Sequence, residues 1–216
     1  MGDVTIRSYA PRDRAAVRQI CSETADRGLP VESIYDDRAL VADLMTNYFT
    51  TREPQSSWVA EADGRVVGYV TGTLHPARFD RWQIGWLVPQ AVLVAALRGA
   101  VWRASTWRLL LATWRTWRRG GFPRQVSARE YPAHLHVNIS DGFRGQQVGR
   151  RLVERFLEHA RAAGRAGVHV ILRADNQAAC RLFERLGFAL LTRYPLVLPR
   201  GASYLETQAL VYGKRL

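Results

Sequence analysis

Two histidines set two residues apart, His134 and His136 in "HLHVNI", carry the chemistry most open to use in this sequence. In an alternating run, Leu135, Val137 and Ile139 point to one side of a strand; His134, His136 and Asn138 point to the other. An imidazole titrates near 6.5 and can take up a proton at neutral pH, so a pair on one face suits general-base work. Four residues beyond its end comes "RGQQVG", Arg144 to Gly149, which passes into a helical pattern over residues 146–163. Gly145 and Gly149 let backbone approach a ligand closely. The amides of a first helical turn, here from Gln146, Gln147 and Val148 to Arg150, have no intrahelical partner, and with the helix dipole they favour an anion such as a diphosphate. Arg144, Arg150 and Arg151 add positive charge. Each feature also has a plain reading. A glycine-containing turn into a helix occurs with no ligand, and histidines on a half-exposed face need only hydrogen bonds.

The elements that must position these groups follow from periodicity. "VTIRSYA" alternates as a first strand, and helices follow over "PRDRAAVRQICSETA" and over residues 37–49. "SSWVAEA", Asp63-Gly64 and "RVVGYVTGTL" form a hairpin. Beyond an irregular region at residues 75–130, "HLHVNI" is the next strand. The helix after it lines Val148, Leu152, Val153, Phe156, Leu157 and Ala160 along one face. "VHVIL" reads as a buried strand. "DNQAACRLFERLG" reads as a helix capped by Asp175 or Asn176 and closed by Gly187. "FALLTRY" and "YLETQALVYGK" are final strands, with a loop expected between Pro195 and Tyr204. The order is β-α-α-β-β-insert-β-α-β-α-β-β, with no internal repeat and no linker.

With 216 residues the chain is long enough for one α+β domain and short for two. Its net charge of +12 is almost all arginine, Lys214 being the only lysine. That suits a polyanionic ligand, a nucleic acid or a membrane surface, and equally a genome rich in arginine codons. Cys21 and Cys180 lack metal or redox spacing and read as buried thiols of a reducing cytoplasm. There is no secretory pattern and no spanning segment. His75, His159 and His169 are scattered, so no metal site is expected.

The strand, the "R-G-x-x-x-G" loop, the amphipathic helix and then "N-x-x-A-x-x-L-F-x-x-x-G-F" (Asn176, Ala179, Leu182, Phe183, Gly187, Phe188) resemble the Gcn5-related N-acetyltransferase (GNAT) superfamily. The specific part runs from about His134 to Phe188, and the order of elements fits throughout. Gln147 stands where a middle glycine is usual. "YPAHLHVNI" is also similar to acetyltransferase-like domains related to those attached to O-GlcNAc hydrolases, and to free-standing bacterial relatives, some of which are thought not to transfer acetyl groups.

The resemblance implies a mixed, mostly antiparallel sheet flanked by helices, in a single GNAT domain over residues 1–216 with a helical insertion at about 76–130. It implies acetyl-CoA as cosubstrate, its diphosphate on Gln146 to Arg150 and its pantetheine along the strand edge at Val137 and Ile139, with Asn176 reaching toward it. It also implies a primary amine as acceptor. His136 falls where many members carry a glutamate that deprotonates the amine through water. His134 would share that task, and Glu61 is an alternative base. Many members place a tyrosine at the position of Phe183 to protonate the departing thiolate, and phenylalanine has no proton to give. A domain that binds acyl-CoA without catalysis is therefore the rival expectation.

Six of the seven tryptophans fall between Trp82 and Trp117, interleaved with arginines. Two helices, about Val88–Trp102 and Ser105–Arg118, account for the pattern. The insertion reads as a lid over the acceptor cleft, as a self-association surface (a homodimer) or partner surface, or as a peripheral membrane contact through residues 82–118. It is too apolar to wait in water for RNA, which argues against nucleic acid.

Overall fold

The computed structural model describes residues 3–97, 99, 102–122 and 126–216. Seven strands, β1 (Thr5–Ser8), β2 (Ser57–Ala62), β3 (Arg65–Thr73), β4 (Ala133–Ile139), β5 (Gly167–Arg173), β6 (Ala189–Arg200) and β7 (Ser203–Arg215), form one open sheet in the order β1-β2-β3-β4-β5-β7-β6. Every neighbouring pair is antiparallel except β4 and β5. Helices α1 (Arg14–Thr24) and α2 (Arg38–Thr51) precede β2; α3 (Pro76–Trp82), α4 (Val88–Leu97) and α5 (Ala104–Arg118) lie between β3 and β4. Helix α6 (Val148–Ala162) joins β4 to β5, and α7 (Gln177–Arg185) follows β5. The sheet is thus mixed and mostly antiparallel, with helices around it and a helical insertion.

Strand alternation sorts the side chains between two cores. One face brings Trp58, Val70, Leu135 and Val168 onto the apolar stripe of α6, where Leu152, Val153 and Phe156 are fully buried. The fit is tight: a Cβ on Gly72 would stand 2.3 Å from the Phe156 ring, so β3 needs glycine there to let α6 lie against the sheet. The other face gathers Tyr9, Val17, Ile20, Cys21, Val59 and Tyr69 under α1. Both cysteines are buried free thiols, and burial pushes each thiol up from its ordinary range.

Two expectations are corrected. The loop foreseen between Pro195 and Tyr204 is strand: β6 runs to Arg200 and turns into β7, with Pro195 opposite Gln208 and Pro199 opposite Tyr204. β6 is the outermost strand, and an edge tolerates proline because one side of its ladder has no partner. The first insertion helix is also preceded by α3 and a π-type turn over Gln83–Leu87. Its expected last turn includes residues 98, 100 and 101, which lie outside the described residues.

Candidate active site

Strands β4 and β5 begin side by side and then part. Only Ala133↔Val168 and His134↔His169 are paired between them. Their outer flanks stay complete: β4 pairs with β3 from Gly68↔Ile139 to Thr73↔His134, and β5 with β7 from Gly167↔Arg215 to Arg173↔Ala209. A wedge therefore opens from Leu135 onward, and among the described residues the inner edge of β4 through Val137 and Ile139 has no strand partner.

The phosphate-type loop sits at the wide end of the wedge. Gly145 and Gln147 both take left-handed backbone, with φ of 78° and 61°. For Gln147, the helix N-cap, this conformation explains why glycine is usual at the position: a side chain in the left-handed region costs about 1 kcal/mol. The first amide to bond within α6 is that of Arg151, to the Gln147 carbonyl, which leaves those of Val148, Gly149 and Arg150 directed out of the helix start. Gly149 lies close to both neighbours; a Cβ there would stand 3.4 Å from Leu182 and 3.7 Å from Ile139. Outward amides beside an unpaired strand edge fit a diphosphate followed by an extended arm.

The arginines behave differently from the expectation. Arg144 is turned back onto the protein, donating to the Ile139 carbonyl at 3.2 Å, to Gly28 at 3.2 Å and to Asp141 at 3.0 Å. Arg150 pairs with Glu154 one helical turn on, and Arg151 donates to the Val4 carbonyl. The helix start thus presents main chain rather than guanidinium groups, and the Gln146 side-chain amide donates to the Gly142 carbonyl at 2.9 Å and steadies the turn. Asn176 caps α7, accepting from the Ala179 amide at 3.2 Å.

The segment joining α1 to α2 closes the mouth of the wedge. Arg144, beyond β4, holds the Gly28 carbonyl, while Arg173, at the end of β5, pairs with Asp26 at 2.5 Å and Asp175 at 2.7 Å. These ties were not foreseen, since nothing local in "TADRGLP" signals a partner more than a hundred residues away.

At the narrow end stand the histidines, all half-buried. The His134 and His169 rings lie 5.0 Å apart, and the His136 ring is 6.1 Å from that of Tyr69. Burial pushes His136 down to about 4; burial, then His169 and His136, hold His134 well below its ordinary value. His169 donates from Nδ1 to the Tyr131 carbonyl at 3.0 Å, which partly offsets the lowering by its own burial. All three are neutral at pH 7 and offer lone pairs. Among the described residues, His136 Nδ1 is buried with no hydrogen-bond partner, and so are the hydroxyls of Ser57 and Thr71, its neighbours in register across β2 and β3. Asn138 donates to the Tyr69 hydroxyl at 3.2 Å.

His169 was set aside as scattered, yet it belongs to this cluster; the signal was the parallel alignment of "AHLHV" with "VHVIL". Glu61 does not join it. The carboxylate lies two strands away on β2, held by Arg7 at 2.5 Å beside the Arg7–Asp13 pair, and faces a separate cavity of about 660 Å³. His75 and His159 line another cavity, of about 540 Å³, beside Glu53 and Ser56. No group of metal ligands occurs among the described residues.

The model of the acetyltransferase (GNAT) family matches residues 112–188, spanning β4, the loop, α6, β5 and α7. This chain has the GNAT fold. Its GNAT fold superposes on the crystal structure of SsHAT with a TM-score of 0.69 at 24% identity, over 99% of this chain and 98% of that one. The Salmonella typhimurium protein yncA, solved with its cofactor acetyl-CoA, gives a TM-score of 0.60 at 18% identity, over 99% and 94% of the two chains. Protein O-GlcNAcase of Rattus norvegicus is 23% identical over 186 residues, 85% of this chain and 20% of that protein, which fits the O-GlcNAcase-related subgroup. The chain spans only 16–20% of the length of the curated relatives it matches. GNAT acetyltransferases use acetyl-CoA. Among the described residues, no helix is long and apolar enough to cross a membrane.

Proposed function

We propose that the chain is an acetyl-CoA-dependent N-acetyltransferase acting by direct attack on a primary amine of a small molecule or peptide. The observation that carries this reading is the parting of β4 from β5 just beyond His134, which puts His136 where the wedge begins. The amides of Gln146 to Arg150 bind the diphosphate, and the edge at Val137 and Ile139 takes the pantetheine as an added strand. The acetyl carbonyl then lies near the narrow end. The amine nitrogen attacks it, the C–N bond forms and the C–S bond breaks, and the sulfur leaves as thiolate. The nitrogen becomes strongly acidic as it bonds, so a neutral imidazole with a low pKa can accept its proton at that moment. His136 is that base; His134 and His169 keep the surroundings polar. The orphaned hydroxyls of Thr71 and Ser57 are suited to hold water that carries the proton away.

One observation favours a domain that binds acyl-CoA without turning it over. Phe183 occupies the place of a thiolate-protonating tyrosine and is buried edge-on against Phe188, and its ring has no proton to give. Acetyl-CoA consumption against a panel of amines, alongside calorimetry with coenzyme A, separates the readings. For the enzyme, His136→Ala lowers kcat roughly 10²-fold or more while coenzyme A still binds. Tight coenzyme A binding with no amine turned over establishes the silent domain, and absence of binding removes both.

A further inference from the structure

Helix α5 is amphipathic in an unusual sense. Trp107, Leu110, Leu111, Trp114 and Trp117 recur at intervals of three and four, which puts them on one stripe. That stripe faces outward: the three tryptophans are 62%, 48% and 66% exposed. The side packed inward is small and polar, with Ala112 and Thr116 buried and Thr116 accepting the Val197 amide at 2.9 Å. Val88, Val92, Leu93 and Leu97 of α4, with Ile84 and Trp86 before it, are exposed as well. Thirteen of the seventeen exposed large hydrophobic side chains among the described residues lie between Ile84 and Phe122. Such a concentration marks a surface that binds something.

Charge selects the partner. From Arg81 to Arg129 the sequence has no aspartate or glutamate. Arg108, Arg115 and Arg119 border the α5 stripe on one side by helical position, and Arg118 lies 5.1 Å over the Trp114 ring. Acidic groups from elsewhere meet this border sparsely: Asp36 stands 3.8 Å from Arg103, and Glu206 pairs with Arg119 at 2.7 Å. A second copy of the chain would bring the same arginines against these, in a molecule already carrying +12. Nucleic acid would leave the aliphatic stripe wet.

We infer that the outward face of α4 and α5 docks onto an anionic lipid bilayer. The helices lie in the plane of the interface, with tryptophan rings at headgroup depth, leucine and valine below them, and arginines on lipid phosphates. The site at the β4–β5 wedge plays no part in the argument.

The test is co-sedimentation of the full chain with vesicles of phosphatidylcholine alone and of an equal mixture with phosphatidylglycerol. The chain is expected to pellet with the mixed vesicles, roughly tenfold more weakly with phosphatidylcholine alone, and to release as salt is raised. The triple variant W107A/W114A/W117A loses binding by roughly tenfold or more while remaining folded, which its unfolding transition checks alongside. The charge reversal Arg118→Glu reduces binding by roughly tenfold through a different term. Equal binding to both lipids, binding to neither, or full binding by the triple variant overturns the inference. So does a concentration-dependent dimer of the wild type that the triple variant cannot form.

Discussion

Helices α5 and α6 are both fifteen residues long and carry apolar stripes of the same period, yet one stripe is outside and the other inside. On α6 the residues from Val148 to Ala160 that share a face are at most 4% exposed; on α5 no member of the stripe from Trp107 to Trp117 is less than 38% exposed. Periodicity announces that a stripe exists and is silent about what covers it. What decides is the opposite face. α6 presents Arg150, Glu154, Arg155 and Glu158 on its other side, groups that belong in water and pair there. α5 turns Ala112 and Thr116 to β6, groups small enough to pack closely against a strand.

Mutations at matched positions sharpen this contrast, and the largest effect belongs to the covered stripe. Phe156→Ala should lower unfolding free energy by about 3–5 kcal/mol, because its ring fills the notch at Gly72 and packs on Trp58. Urea denaturation measures it; a loss under about 1 kcal/mol would make the two helices energetically alike.

Acid acts next, and on the sheet rather than the insertion. His136 titrates near 4 when folded and near 6.5 when unfolded, so between those values the unfolded chain binds the extra proton. Its stabilising contribution is therefore complete above pH 6.5 and disappears as pH falls toward 4. The loss is on the order of 3 kcal/mol from His136, with His134 and His169 acting in the same direction. Urea midpoints from pH 7 to 4 should fall steeply in the wild type and less so in His136→Ala; parallel curves would contradict the burial.

Thr116→Val tests the polar attachment of α5. It leaves the buried Val197 amide without its acceptor and should cost about 1–3 kcal/mol by the same assay. Trp114→Ala is the smallest change, within about 0.5 kcal/mol, since an exposed ring in water adds little to folding. A large loss there would mean that the stripe is covered within the chain itself.

Much of the framework was legible because local signals and tertiary placement agree. The Asp63-Gly64 turn, the α6 stripe, the Asn176 cap and the Gly187 stop each act over a few residues, and each stands where it was read. The histidine strand and the glycine loop were legible for the same reason. What escaped depends on partners distant in sequence. His169 becomes part of the cluster only through the parallel pairing of β5 with β4. Arg144 was legible only as added positive charge, because Gly28 cannot be anticipated as its neighbour. Pro195 and Pro199 suggested a loop, and only the outer position of β6 makes them acceptable in a strand. Glu61 had a suitable carboxyl group, but Arg7 had already claimed it.

A sheet that divides in the middle has two inner borders, and their width sets what can enter. Helix α6 floors the opening, and the bridge from Asp26 to Gly28 spans its front. An unpaired strand edge is completed by one extended segment that supplies the missing rungs, and a globular surface has no such row of partners to offer. Selection for a slender, linear molecule thus comes from layer geometry before any side chain has inspected it.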